Sequence, residues 1–330
     1  MNALSWPALV AEALRRRKAE RMTQKEHAAL ADVSIPTIVA FDKGERTLSL
    51  NKAFDILRVV GLIEEPVAEN AQDVFVRQAF ERWQTLTDEL PAQSPGRLPY
   101  GRYQIDYALG GDLKRIETRE LAAELQQAIT RATAWPMFRA PSRPGLLRQE
   151  PSGIIENWFP LNEDSLDVSF HDVPARYDFW RASSAGQLLF IRGYHEDSQE
   201  TFSPGVIFDS VLPLWLLGGA LLNASRFASL LSEEGAPITV RLRALYTGLT
   251  GRTLRSWANP MSGDLFLSSH PSRNDEAHLA ITVAANDIER NLAWHVVALA
   301  APLFERFGVT GLSVDGVSAE LTRMSQTRLG

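Results

Sequence analysis

The chain contains no cysteine. Disulfides, cysteine-ligated zinc, iron–sulfur clusters and thiol catalysis are therefore excluded. Long hydrophobic runs are also missing, and no apolar stretch reaches the ~20 residues that span a bilayer. The longest, Val211–Ala224, is interrupted by Pro213, Gly218 and Gly219 and predicts a buried helix. Glycine (21) and proline (18) are too few for a collagen-like or low-complexity chain of 330 residues. Arg15, Arg16, Arg17 and Lys18 adjoin no apolar run, so no secretory leader is expected. The expectation is a cytoplasmic protein without membrane contact.

Several catalytic signatures are absent as well. There is no G-x-x-x-x-G-K-[ST] phosphate loop, no H-E-x-x-H zinc motif and no G-x-S-x-G nucleophile elbow. Gly248-Leu249-Thr250-Gly251-Arg252 follows a predicted strand, but it lacks the third glycine of a dinucleotide fingerprint and predicts a turn. No motif calls for a cofactor, a resident metal or a catalytic residue.

What is present is an ordinary globular composition, 45% hydrophobic and 22% charged, in a chain long enough for two or three domains. The net charge of −6 is unevenly spread. Residues 1–66 hold ten Lys/Arg against nine Asp/Glu, whereas the remainder holds 24 against 31. An acidic body repels DNA, which confines any nucleic-acid contact to the N-terminal part.

Residues 7–61 predict four or five short helices. The first runs over Ala8–Arg21. Thr23 with Glu26 three residues on has capping-box spacing for a helix over Gln24–Ala31. Ser34 caps the next helix, with Pro36 tolerated in its first turn and Gly44 suited to its left-handed end. Asn51–Val60 predicts a further amphipathic helix.

The segments Thr23-Gln24-Lys25-Glu26-His27-Ala28, Val33-Ser34, Thr37-Ile38 and Asp42-Lys43-Gly44 resemble the Cro/C1-type (XRE) repressor family. That family's pattern runs roughly T-Q-x-E-L-A, G-V-S, T-I-S and E-x-G. The resemblance covers about residues 9–61. It implies a helix-turn-helix whose second helix enters the major groove of double-stranded DNA, in a homodimer. It also implies base contacts from Ile35, Pro36, Thr37 and Ala40. Ser34 and Gln24 stand at helix starts facing the backbone, and Lys43 and Arg46 follow the recognition helix. Arg15, Arg16 and Lys18 would add phosphate attraction. Four residues depart from the pattern: His27 for leucine, Asp32 for glycine, Val39 for serine and Asp42 for glutamate. Asp tolerates the left-handed conformation better than most residues. His27 puts a polar ring at a core position and needs a partner. Of the base-contact positions only Thr37 can hydrogen-bond a base, which implies weak direct readout or a reliance on DNA shape. The other reading of this module is one that has exchanged DNA for protein contact.

Residues 67–101 predict a helical linker (Val74–Leu90) and a Pro/Gly-rich loop. From residue 102 strands and helices alternate. Strands are expected at Tyr103–Ala108, Ile154–Phe159, Leu188–Tyr194, Ile238–Tyr246 and His278–Ile288. Helices are expected at Glu120–Ala132, Phe208–Leu231 and Asn291–Phe307. The fold class is therefore α+β: an all-α helix-turn-helix domain (1–66) before a larger mixed α/β domain (102–330). Leu212–Leu217 is the expected dimer interface. Trp180, Arg181 and Arg192 are the candidates for holding a small anionic effector. His171-Asp172 and His195-Glu196-Asp197 are the densest acid/imidazole clusters, and solvated loops are the plain reading of both.

These observations lead to a DNA-binding transcriptional regulator whose large domain dimerises and answers to a ligand or protein. A different class stands beside it. That is a divalent-metal nuclease or hydrolase using Asp164, Asp167, His171 and Asp172, or an antitoxin-like interaction protein.

Overall fold

The computed structural model describes residues 5–45, 47–63, 70–114, 116–128, 147–159, 177–198, 202–233, 236–258 and 270–326. The chain divides into two units, Met1–Asn70 and Ala71–Gly330.

The first unit consists of α1 (Trp6–Ala19), α2 (Gln24–Leu30), α3 (Ile35–Asp42) and α4 (Leu50–Val59). Its core is small: Val10, Ala13, Ala28, Ile38, Phe41, Ile56 and Leu57. Trp6 meets Phe41 edge-on at 5.5 Å and donates its indole N–H to the Gly44 carbonyl at 3.0 Å. Gly44 adopts φ +73°, the left-handed end expected after α3.

The second unit is built on a seven-stranded sheet in the order β2-β3-β4-β5-β1-β7-β9. These strands are β1 (Arg102–Gly110), β2 (Arg148–Glu150), β3 (Ile154–Phe159), β4 (Asp178–Ser183), β5 (Gln187–Gly193), β7 (Thr239–Tyr246) and β9 (Ala277–Ala284). Every pairing is antiparallel, with Ile105 opposite Phe190 and Tyr107 opposite Leu242. A short parallel pair, β6 (Ile207–Asp209) and β8 (Thr253–Arg255), stands apart from it. The helices are α5 (Ala71–Asp88), α6 (Thr118–Ala128), α7 (Leu212–Leu231), α8 (Ala285–Ile288), α9 (Leu292–Glu305) and α10 (Val314–Gln326).

Side-chain alternation sorts the sheet's two faces. Tyr103, Ile105 and Tyr107 of β1 join Phe190, Val240 and Leu242 in the main core, with α7, α9 and α10. Leu189 and Ile191 turn the other way and meet Phe75, Ala79 and Trp83 of α5. The unit is thus α5, sheet, then a helical layer. The α+β class holds, and the sheet is antiparallel.

Four expectations change in detail. The helix placed in a linker is α5, which packs on the sheet of the second unit. The long apolar helix begins at Leu212 rather than Phe208, because the Asp209 carboxylate accepts the N–H groups of Val211 and Leu212, both at 2.7 Å. The strand from His278 ends at Ala284, where α8 starts. Leu212–Leu217 is not a free interface: all six residues are buried within their own unit. By length and composition α7 is apolar enough to cross a membrane, yet most of it lies in this core. The end of the helix expected to run on to Ala132 lies outside the described residues.

Candidate nucleic-acid interface

The α2–turn–α3 segment is shaped by local hydrogen bonds. Thr23 Oγ1 accepts the Glu26 N–H at 3.2 Å, and the Glu26 carboxylate accepts the Thr23 N–H at 2.8 Å. Those bonds hold the Glu26 carboxyl below its ordinary range. After α2 the chain turns at Asp32, with φ +48°, and the Val33 N–H returns to the Ala28 carbonyl at 3.0 Å. Aspartate therefore takes the left-handed position that the sequence pattern assigns to glycine. Ser34 then caps α3 by accepting the Thr37 N–H at 3.4 Å.

This arrangement anchors α3 by one side and leaves its start open. Ile38 and Phe41 are buried. Ser34, Ile35 and Pro36 are exposed, and Thr37 and Ala40 are half-buried. Ile35 is a large apolar side chain 46% open to solvent. The Ser34 and Thr37 hydroxyls share a 2.8 Å hydrogen bond and form one compact polar group beside it.

Beneath this surface lies a polar lock that sequence reading missed. Arg17 is 7% exposed and gives two hydrogen bonds to Asp42, at 2.9 and 2.6 Å. Gln24 donates its amide to the same carboxylate at 2.7 Å. Asp42 therefore ties α1, α2 and α3 together. His27, buried at 1% exposure, has two partners, the Ile56 carbonyl at 2.9 Å and Arg17 at 3.4 Å. Arginine can only donate, so the imidazole accepts at Nδ1 and gives its Nε2 proton to Ile56. The departures from the family pattern at positions 27 and 42 thus form one network with Arg17.

The predicted phosphate contacts divide accordingly. Gln24 is occupied by Asp42. Arg15 makes two bonds to Glu12, at 2.7 and 2.6 Å. Arg16 bonds Glu12 at 3.0 Å and reaches the carbonyls of Val60 and Gly61 at 3.3 and 2.7 Å, clamping α1 to the end of α4. Arg16 is therefore a structural residue rather than a free cation. Glu12, between two guanidinium groups, is lowered to about 2. Lys18, Lys25 and Lys43 are exposed. Arg46 lies outside the described residues.

The candidates in the second unit fall into place differently. Trp180 is buried in the main core. Arg181 is held by Glu156 at 2.8 Å and Glu150 at 3.2 Å, and Arg192 forms a buried ion pair with Asp178. These three residues serve the interior and are not open to an effector. His295 pairs with Asp287 at 3.0 Å. Asp164, Asp167, His171 and Asp172 lie outside the described residues.

His195-Glu196-Asp197 is a structural knot rather than a solvated loop, with Glu196 and Asp197 buried and His195 half-buried. His195 stacks on Trp257 at 6.2 Å. Asp197 pairs with Arg252, and Glu196 accepts the Asp209 N–H at 2.8 Å. Burial, reinforced by the nearby Asp209 carboxylate, pushes the Glu196 carboxyl up to about 8. Its proton is thus retained in the folded chain over a range where the unfolded chain has released it. The resulting stability is fully present below about pH 4.5 and is lost as pH rises to about 8. Glu196→Gln is expected to flatten this pH dependence and to raise the melting temperature at pH ~8 more than at pH ~5. Equal shifts at both values would show that Glu196 does not carry the proton.

Comparison of the chain with protein-family models, with curated proteins and with solved structures finds no match.

Proposed function

We propose that the N-terminal unit binds double-stranded DNA as the headpiece of a Cro/C1-type transcriptional regulator in the cytoplasm. The carrying observation is the exposure of Ser34, Ile35 and Pro36 at the start of a helix whose Ile38 and Phe41 are locked in the core. A helix held in this way can insert its first turn into a major groove. Thr37 supplies the hydrogen-bonding group, Ile35 and Pro36 supply apolar contact to thymine methyls, and Lys18 and Lys43 supply phosphate contact. Two copies of the chain would meet half-sites one helical turn apart, or a multiple of it, with the second unit holding them together.

Fluorescence anisotropy on labelled fragments from upstream of the protein's own gene tests this, at two salt concentrations and with competitor DNA. Saturable, sequence-preferring and salt-sensitive binding is expected. Thr37→Ala should reduce the preference for the best site by about 1 kcal/mol, roughly fivefold. Lys43→Ala should weaken binding to all sequences and reduce the salt slope by about one. Arg16→Ala should instead lower the unfolding temperature, because it releases α1 from α4. Binding that ignores both Thr37 and Lys43 would remove α3 from the interface.

A further inference from the structure

The second unit holds a cleft that none of the roles above uses. It lies on the α5 face of the sheet, has a volume of about 480 Å³ and is open to solvent. That size suits a small organic molecule. Val76 and Phe80 of α5 and Leu245 of β7 supply its apolar surface.

The charged groups of the cleft are not equivalent. Arg243 is spent on Asp106, at 2.9 Å, and on Asp73. Arg77 reaches Glu81 at 3.4 Å. Arg102 is different. Its guanidinium lies over the rings of Phe80 and Trp83, at 5.1 and 5.0 Å. Its Nε is buried without a hydrogen-bond partner. Among the described residues no carboxylate or carbonyl accepts from this guanidinium, and Glu276 acts on it only through space. A fixed, partly desolvated guanidinium with unused donors is costly to leave unpaired. The two rings hold it flat, which is the geometry that a bidentate carboxylate needs.

We propose that this cleft binds a small monocarboxylate with a flat or branched apolar body, its carboxylate on Arg102 and its body against Val76, Phe80 and Leu245. The two aspartates select against dianions and phosphates, since a second negative charge would face Asp73 or Asp106. The assignment is independent of DNA binding.

Benzoate, cyclohexanecarboxylate and the neutral isostere benzamide are the probes, each titrated into the full-length protein without DNA. Saturation-transfer NMR and calorimetry read the binding. Either carboxylate is expected to bind at least tenfold more tightly than benzamide, and inorganic phosphate should not compete. Arg102→Met keeps an apolar stem over Phe80 and Trp83 and is expected to lose at least tenfold in carboxylate affinity. Ala280→Trp, at an exposed position lining the cleft, fills it without touching Arg102 and is expected to abolish binding. Failure of both carboxylates to bind would overturn the proposal. So would benzamide binding as tightly as benzoate, or both variants binding like the parent chain.

Discussion

Asp42→Ala is expected to unfold the N-terminal unit under conditions in which the rest of the chain stays folded. The substitution strips both hydrogen bonds from Arg17 and the one from Gln24. Arg17 then remains as a buried cation with only a 3.4 Å contact to His27. Removing one member of a buried ion pair costs about 3–5 kcal/mol. Domains as small as this one sit near the bottom of the usual stability range of about 5–15 kcal/mol, so most of the stability is lost. Amide hydrogen exchange over residues 5–63 is the direct measurement, and it should accelerate throughout α1–α4. The pair Arg17→Met with Asp42→Leu removes both charges and should recover a large part of the loss. Exchange indistinguishable from the parent chain in Asp42→Ala would show that the lock contributes nothing. DNA binding should fall with the unit's folded fraction, whereas Thr37→Ala should alter sequence preference alone.

Arg252→Met is expected to be at least as damaging to the second unit. Arg252 has no exposed surface. It gives two hydrogen bonds to Asp197, at 2.8 and 2.6 Å, and others to the carbonyls of Gly248, Ile207 and Tyr100, at 2.7, 2.7 and 2.6 Å. Its guanidinium also lies over the Tyr194 ring at 4.5 Å. One side chain therefore joins four separate segments of chain. Methionine matches the stem but leaves a buried carboxylate and three carbonyls without this donor. That costs several kcal/mol, of the order of 3–5 from the carboxylate alone. Seven of the eight tryptophans lie in this unit, so tryptophan fluorescence during urea unfolding reports on it. The midpoint should drop markedly at unchanged slope. Arg252→Lys restores charge but not the fork and should recover only part of the loss. A midpoint within error of the parent would refute the assignment of Arg252 as the tie between these segments.

The glycine-bearing stretch before Arg252 shows how a local signal can be read correctly and still be incomplete. Gly248-Leu249-Thr250-Gly251 does form a turn. Gly248 has φ +71°, and a Cβ there would lie 2.4 Å from the Tyr100 carbonyl. The glycine serves a close backbone approach, and the turn delivers Arg252 to Asp197. Nothing in the turn's sequence names that partner, which is 55 residues away.

Strand β4 marks another limit. All six of its residues are buried, because helices cover both faces of the sheet there. A strand without a solvent face has no alternation, and no strand was expected at Asp178–Ser183. Strand β7 keeps alternation, with Val240, Leu242, Ala244 and Tyr246 inward and Arg241 and Arg243 on the other face, and it was legible for that reason. Arg102 left no local signal. Its cradle combines a strand residue with two helix residues about twenty positions earlier, Phe80 and Trp83, and only their packing brings them together.

The caps and starts of α2 and α3, the left-handed turns at Asp32 and Gly44, and the α+β class are legible in the amino-acid sequence alone, whereas α1 begins and ends two residues before its expected limits. Caps, backbone preferences and side-chain periodicity act within a few residues, so they can be read along the chain. Packing sets which charges are spent inside the protein and which stay open. Arg16, Arg17, Arg181, Arg192 and Arg252 are taken up by internal acceptors, while Arg102 keeps its donors. That choice depends on distances through space between segments far apart in sequence, and the fold alone sets them.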